Sequence, residues 1–141
     1  MGRRPLRITA DTNILVRAAV GDDPEQTHLA RNILRDADLI VVTLPTLCEF
    51  VWVLARGYRR SAGEITASIR RLVDSATVSL DRAAVEAGLD ILAAGGDFAD
   101  GVIALEGRRL GGTVFASFDR RAVALIAAAG GDTHLLNPPA A

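Results

Sequence analysis

The chain has 141 residues, which fits one domain, and half of them are hydrophobic, which predicts a folded core. Its 16 basic residues are all arginine, which excludes sites that depend on a phosphate-binding, Schiff-base or general-base lysine. A single cysteine excludes an intrachain disulfide and a cysteine-based zinc site, and two histidines are too few for a metal site built on histidine alone. The net charge of −1 confines any nucleic-acid contact to local patches.

No apolar run is long enough to cross a bilayer, because the longest candidates span only residues 39–42 and 50–55. The basic stretch from Met1 to Pro5 is not followed by the apolar region of a secretory signal. We therefore expect a soluble, cytoplasmic protein that does not associate with membranes.

Short apolar and β-branched runs alternate along the chain with segments whose apolar residues recur at helical spacing. Strands are predicted at Arg7–Ala10, Leu39–Thr43, Thr77–Leu80, Thr113–Ala116 and Thr133–Leu136. Helices are predicted at Ile14–Val20, from Pro24 after the cap Asp23, from Pro45 to about Arg56, from the capping box Ser61–Glu64, from the cap Asp81 to Leu92, from the cap Asp97 to Leu110, and at Val123–Ala128.

Strands and helices that alternate with short connections predict an α/β fold. We expect a single domain over residues 1–141, with a mostly parallel central sheet covered by helices on both faces. In such sheets ligands bind outside the carboxyl ends of the strands. This rule indicates where a site should lie before any motif is considered.

Two aspartates follow predicted strands. Asp11 comes directly after the first strand, and Asp119 follows the strand that ends at Ala116. If both strands are central and parallel, both carboxylates emerge at the same edge of the sheet. Each can instead serve only as a helix N-cap, which is the commoner role for an isolated aspartate, and the two roles are compatible.

Glu49 lies in the otherwise apolar run of residues 47–54. A glutamate is rarely buried unless it is paired or bound to a cation, so Glu49 is a candidate ligand. The alternative is a narrow solvated stripe, which would be half polar because it includes Val53 and Arg56. The apolar run further predicts that this helix is buried on more than one side.

Asp97 and Asp100 are spaced to share one face at the start of a predicted helix. The helix dipole alone can account for negative charge there. One aspartate is enough to cap the helix, so Asp100 is available for other chemistry. Its small neighbours, Ala99, Gly101 and Ala104, predict that another element approaches closely at this point.

Metal chemistry follows if Asp11, Glu49, Asp100 and Asp119 converge. Carboxylates gathered within a few ångströms need a compensating cation to stay ionised. Oxygen ligands without cysteine or histidine suit Mg²⁺ or Mn²⁺ and disfavour zinc. One or two such ions can activate water and stabilise the oxygens of an in-line phosphoryl displacement.

These acids stand in four short motifs. The motifs are Ala10-Asp11-Thr12-Asn13, Leu47-Cys48-Glu49-Phe50, Asp97-Phe98-Ala99-Asp100-Gly101-Val102-Ile103-Ala104 and Ser117-Phe118-Asp119-Arg120. Each is common by itself, but the ordered set, from about residue 8 to 137, resembles the PIN-domain ribonucleases. More narrowly, the chain is similar to VapC-type toxins of toxin–antitoxin pairs.

The resemblance implies a three-layer α/β/α fold and Mg²⁺- or Mn²⁺-dependent cleavage of RNA. It implies that Asp11, Glu49, Asp100 and Asp119 are the metal ligands and catalytic residues. Auxiliary positions that orient or supplement these carboxylates would be Thr12, Asn13, Ser117 and Asp97. It further implies a homodimer and a cognate antitoxin protein that covers the pocket.

Two positions depart from the family pattern. Arg121 stands where many relatives carry another acid, and Ser117 stands where threonine is common, although the hydroxyl is kept. Arginines are the expected RNA contacts, because their forked guanidinium groups match phosphate geometry. The best candidates are Arg59, Arg60, Arg120 and Arg121. Solvated helix surface is the ordinary alternative for any one of them.

The aromatic residues Phe50, Trp52 and Tyr58 can stack RNA bases, although aromatic residues at this spacing more often belong to a core or an interface.

A phosphoacceptor domain with Asp11 as the phosphorylated residue is disfavoured, since such sites normally need a lysine. The other alternative is a catalytically silent PIN-like module that binds an antitoxin or nucleic acid. The acidic set argues against it, because such a module has no need for mutually repelling carboxylates.

Overall fold

The computed structural model of the chain describes residues 2–137. The chain divides into two compact units, Met1–Asp81 (the N-terminal unit) and Arg82–Ala141 (the C-terminal unit). Met1 and residues 138–141, which the predicted single domain includes, lie outside the described residues. The extent of that domain stays a prediction.

The N-terminal unit alternates strands and helices. In chain order its elements are β1 (Arg7–Thr9), α1 (Thr12–Val20), α2 (Pro24–Asp36), β2 (Leu39–Val41), α3 (Leu44–Trp52), a π-helical turn (Val53–Gly57), α4 (Ala62–Asp74) and β3 (Val78–Ser79). The strands form a parallel sheet in the order β1-β2-β3. In its register Ile8 pairs with Ile40, and Ile40 with Val78.

Local capping chemistry sets where these helices begin. Asp23 accepts a hydrogen bond from the backbone of Gln26, and Pro24 occupies the first turn of α2. Ser61 and Glu64 form the predicted capping box, with each side chain accepting from the other residue's backbone N–H. The helix boundaries predicted from these signals are confirmed.

The C-terminal unit contains α5 (Arg82–Ala93), α6 (Phe98–Arg109), β4 (Phe115–Ser117), α7 (Arg120–Ala128) and β5 (Thr133–Leu135). Strands β4 and β5 are parallel. Ile91, Ala104 and Ile126, one from each helix, form a buried cluster on which Phe115 and Leu125 pack. This small core joins α5, α6 and α7, and the predicted acids of this unit lie near the starts of α6 and α7.

Helices α5 and α6 approach closely through two glycines. A Cβ built on Gly101 would overlap the backbone carbonyl of Ala87, and one built on Gly88 would lie 2.6 Å from the Phe98 ring. The prediction that small residues near Asp100 admit a neighbouring element is therefore confirmed.

The α/β class with parallel strands is confirmed, but two details of the sheet differ from prediction. Strand β4 starts at Phe115 and not at Thr113, because the backbone N–H of Gly112 is still bonded to the Gly107 carbonyl at 2.8 Å. Within residues 2–137 the strands form one three-stranded and one two-stranded sheet, where a single sheet was expected. In that part of the chain no helix combines the length and apolar character needed to cross a membrane.

Candidate metal and RNA site

Asp11 follows β1 and caps α1, as predicted. Its Oδ1 accepts a hydrogen bond of 2.9 Å from the backbone N–H of Thr12, which is 5% exposed. Thr12 thus orients this carboxylate through its main chain, while Asn13 lies exposed on the first turn of α1. The bond leaves Oδ2 of the exposed Asp11 as the oxygen that could face a cation.

Glu49 lies on the exposed face of α3, so the solvated-stripe alternative is confirmed and the expectation of a buried glutamate is wrong. The buried face carries side chains at helical spacing: Leu47, Phe50, Val51 and Leu54. These side chains pack into the core from one face of the helix, and Trp52, on the opposite face, is 62% exposed. Within the described chain this helix is therefore buried on one side only, and its further burial against a second subunit or an antitoxin stays a prediction.

Asp100 lies half-buried in the first turn of α6. Burial, followed by the negative charges of Asp97 and Asp119, raises the pKa of its carboxyl above the ordinary value. The C-terminal unit therefore holds a carboxylate whose ionised form is disfavoured by its neighbours.

Asp97 stands at the N-cap of α6, but its side chain makes no capping hydrogen bond. The backbone carbonyl of Asp97 instead accepts from the Asp100 N–H at 3.1 Å. The expectation that the Asp97 carboxylate caps the helix is thus wrong. This exposed carboxylate contributes to the site chiefly as negative charge near Asp100.

Asp119 caps α7 with a single oxygen. Its Oδ1 accepts from the backbone N–H groups of Arg121 and Ala122, at 2.9 and 3.1 Å. Ser117 acts on the main chain, since its Oγ accepts from the Asp119 N–H at 3.0 Å. The hydroxyl therefore fixes the turn that carries Asp119, and Oδ2 is the oxygen that could face a cation.

The acids of the C-terminal unit influence one another electrostatically without forming a closed ligand set. Among residues 2–137, no group of three or more His, Cys, Asp or Glu side chains has a metal-binding arrangement. The donor chemistry nevertheless fits a hard cation, since these donors are all carboxylate oxygens. A cation would also relieve the repulsion that raises the pKa of Asp100.

The predicted RNA-contacting arginines differ in how their charges are used. Arg60 pairs with Glu64 at 3.3 Å, and Arg120 bonds the Asn137 side chain at 3.2 Å. The guanidinium of Arg121 lies so close to Gly95 that a Cβ there would be 2.7 Å away. Arg59 is exposed and has a backbone φ of 53°, which is unusual for a residue with a side chain.

A polar network that sequence reasoning missed lies in the N-terminal unit. Tyr58 donates a 2.8 Å hydrogen bond to Oδ2 of Asp22, and Arg17 pairs with Oδ1 at 3.0 Å. Arg17 also donates to Gln26 at 2.8 Å. The hydrogen bond from Tyr58 is the main cause that lowers the pKa of Asp22, and Arg17 lowers this pKa further. No local signal connects Asp22 with Tyr58, because 36 residues separate them.

A family model described as the PIN domain matches residues 8–128. No curated protein matches the chain. The helices and parallel strands described above are consistent with the three-layer α/β/α fold expected for that family. PIN domains are typically nucleases and generally use divalent metals. The match covers most of the sequence, and the chain belongs to the PIN domain family.

Proposed function

We propose that the chain is an endoribonuclease that depends on Mg²⁺ or Mn²⁺ and hydrolyses RNA phosphodiester bonds. The proposed metal ligands and catalytic residues are Asp11, Glu49, Asp100 and Asp119. The observation that carries the proposal is the half-buried Asp100, whose pKa is raised by burial and by the charges of Asp97 and Asp119. Carboxylates held against their own repulsion are costly unless a cation binds them.

The assignment of Asp11 and Glu49 rests on the family motifs. Both lie at exposed positions where a carboxylate oxygen can meet a cation. A bound Mg²⁺ or Mn²⁺ would supply an activated water and stabilise charge on the phosphate oxygens. The hydrogen bond from the Thr12 amide would keep Asp11 in one orientation, as positioning residues do around metal ligands.

Phosphate binding in this proposal falls to arginine side chains, because the chain has no lysine. Arg120 and Arg121 begin α7 directly after Asp119, and Arg59 and Arg60 follow the helix that carries Glu49. Their guanidinium groups would hold the RNA backbone while the acids act on one phosphodiester. Arg60 is the weaker candidate, since Glu64 already pairs with it.

We further propose that the enzyme is the toxin of a type II toxin–antitoxin pair and acts in the cytoplasm. The four ordered motifs support this narrower assignment through their resemblance to VapC-type toxins. The expected partners are an RNA substrate, a cognate antitoxin protein that covers the acidic site, and a second copy of the chain in a homodimer.

The test uses Asp11→Asn, because asparagine caps a helix as well as aspartate but cannot supply a carboxylate. With Mg²⁺, the parent should cleave single-stranded RNA, and both Asp11→Asn and chelation of the metal should abolish cleavage. Asp132→Asn, which removes an exposed charge outside the motifs, is the matched control and should cleave normally. Equal cleavage by the parent and Asp11→Asn would refute the assignment, and an inactive parent would favour the silent binding module.

A separate binding measurement does not depend on turnover. Mn²⁺ should raise the melting temperature of the parent, because a ligand that binds only the folded state stabilises it by mass action. The same titration should leave Asp100→Asn nearly unshifted. If Mn²⁺ raises the melting temperature of both proteins equally, the ion binds elsewhere on the chain, and Asp100 no longer supports the proposed metal site.

A further inference from the structure

The exposed face of α3 continues past the predicted ligand Glu49. Trp52 follows it by three residues and Arg56 by seven, so the three side chains recur at helical spacing. All three are exposed. Trp52, the sole tryptophan of the chain, is 62% exposed although its ring is large and apolar. An acid and a flat aromatic ring thus lie on one face of α3, and a cation follows at helical spacing in the π-helical turn that continues it.

The backbone that carries Arg56 and Arg59 is unusual in two consecutive places. The chain from Val53 to Gly57 forms a π-helical turn, closed by a 3.2 Å bond from the Tyr58 N–H to the Val53 carbonyl. Arg59 then takes a left-handed conformation, the only such non-glycine residue among residues 2–137. Each feature is energetically unfavourable and persists only when its surroundings hold it, and both kinds concentrate at functional sites.

The polar network around Asp22 holds this strained segment. Tyr58, directly before Arg59, is tied to Asp22 at 2.8 Å, and Asp22 is fixed in turn by Arg17 at 3.0 Å. The network also neutralises Asp22, and Arg60 neutralises Glu64. Arg56 and Arg59 carry no ion pair with any residue of the described chain. Two uncompensated cations therefore project from the segment.

We propose that Trp52, Arg56 and Arg59 form a track for single-stranded RNA, in which Trp52 stacks on a base and the two arginines bind successive phosphates. Tyr58 is a positioning residue that holds Arg59 through Asp22. The inference rests on the proposed function, whose substrate it narrows to unpaired RNA running along α3 away from Glu49. An aromatic platform beside cations is the usual means of binding a single strand, because unpaired bases expose their faces.

The experiment measures fluorescence of Trp52, which reports alone because no other tryptophan is present. Oligoadenylate is titrated into the full chain with the metal chelated, so that binding is observed without cleavage. The single strand should quench the fluorescence, whereas an RNA duplex should not. Trp52→Ala, followed by anisotropy of labelled oligoadenylate, should weaken binding roughly 5- to 150-fold. Trp52→Phe should restore most of the affinity.

Salt dependence identifies the phosphate contacts. Arg56→Ala and Arg59→Ala should each reduce the slope of log affinity against log salt by about 0.7, the value for one phosphate of a single strand. Tyr58→Phe keeps the ring but loses the bond to Asp22, and it should reduce the slope while the circular dichroism spectrum stays unchanged. Arg35→Ala, whose charge is paired with Asp36 on α2, is the matched control and should leave the slope unchanged.

The outcomes separate this inference from the proposed function. If the parent cleaves RNA but Trp52 is not quenched, the track is wrong and the nuclease assignment stands. If oligoadenylate quenches Trp52 but the parent never cleaves RNA, the track stands and the nuclease assignment is wrong. Fluorescence that changes only with protein concentration, alongside dimer formation in sedimentation, would assign Trp52 to an interface and overturn the track.

Discussion

Gly101 of α6 lies directly against the backbone carbonyl of Ala87 of α5, and no side chain fits between them. This contact brings the first turn of α6 close to α5, and Asp100 in the same turn is half-buried. Burial, followed by the negative charges of Asp97 and Asp119, raises the pKa of Asp100.

Gly101→Ala should separate α5 and α6, because the added Cβ would overlap the main chain, which cannot rotate away. We expect a loss of about 1–3 kcal/mol in the free energy of unfolding, measured by urea denaturation. Gly107→Ala is the matched control in the same helix, where a Cβ meets nothing within 4 Å. It should instead stabilise the protein by about 0.4–1 kcal/mol. Equal effects of the two substitutions would contradict the close contact.

Asp100→Asn should make the metal-free protein more stable at neutral pH. Because the pKa of Asp100 is raised on folding, the folded state binds more protons than the unfolded state above the ordinary value of 3.8. The free energy of unfolding therefore falls as pH rises through the shifted pKa, and asparagine removes that loss.

The measurement is urea unfolding of the parent and Asp100→Asn between pH 3 and pH 7 in chelator. The advantage of the variant should be present at pH 7 and disappear below the ordinary pKa of 3.8. Asp132→Asn should show no such trend. A difference that stays constant with pH would mean that Asp100 is not destabilised in its charged form.

Local signals were sufficient to predict the elements, because caps and breakers act over a few residues. Asp11, Ser61 and Asp119 each begin a helix where the sequence places them. Asp97 is the exception, because it occupies the N-cap position of α6 while its side chain makes no capping hydrogen bond.

Contacts between residues that are distant along the chain could not be predicted from the sequence. The Asp22–Tyr58 bond joins two ordinary surface residue types, and nothing near either one distinguishes it from a solvated side chain. The apolar neighbours of Glu49 along the chain do not bury it, because the buried residues of α3 occupy only one face of the helix. The helical periodicity of α3 distinguishes the two faces: Phe50 and Val51 are buried in the core, whereas Glu49 and Trp52 are exposed.

Glu64→Gln should reduce stability at neutral pH and have little effect in acid. The backbone N–H of Ser61, followed by its hydroxyl contact and by Arg60, lowers the pKa of Glu64 below its ordinary value of 4.5. The ionised carboxylate therefore contributes stability above pH 4.5, and this is lost as pH falls through the lowered pKa. Urea unfolding at pH 7 and pH 3 tests this, with Glu25→Gln in the first turn of α2 as control. The same deficit at both pH values would exclude the effect.

Substitution of Asp119 should separate its structural role from its proposed chemical one. Asp119→Asn keeps an oxygen that can accept from the backbone of Arg121 and Ala122, so stability should change by only a few tenths of a kcal/mol. Asp119→Ala loses the cap and should cost about 1 kcal/mol. If Asp119 is a metal ligand, both variants should lose RNA cleavage by more than about 100-fold, beyond the loss typical of residues that only orient a ligand.

The control is Asp23→Asn, which neutralises the capping aspartate of α2 in the same manner and lies outside the acidic motifs. It should retain both stability and cleavage. The two roles are established if both Asp119 variants lose cleavage while only Asp119→Ala loses stability. If Asp119→Asn cleaves RNA as well as the parent does, the carboxylate is a cap alone, and the catalytic set must be sought without it.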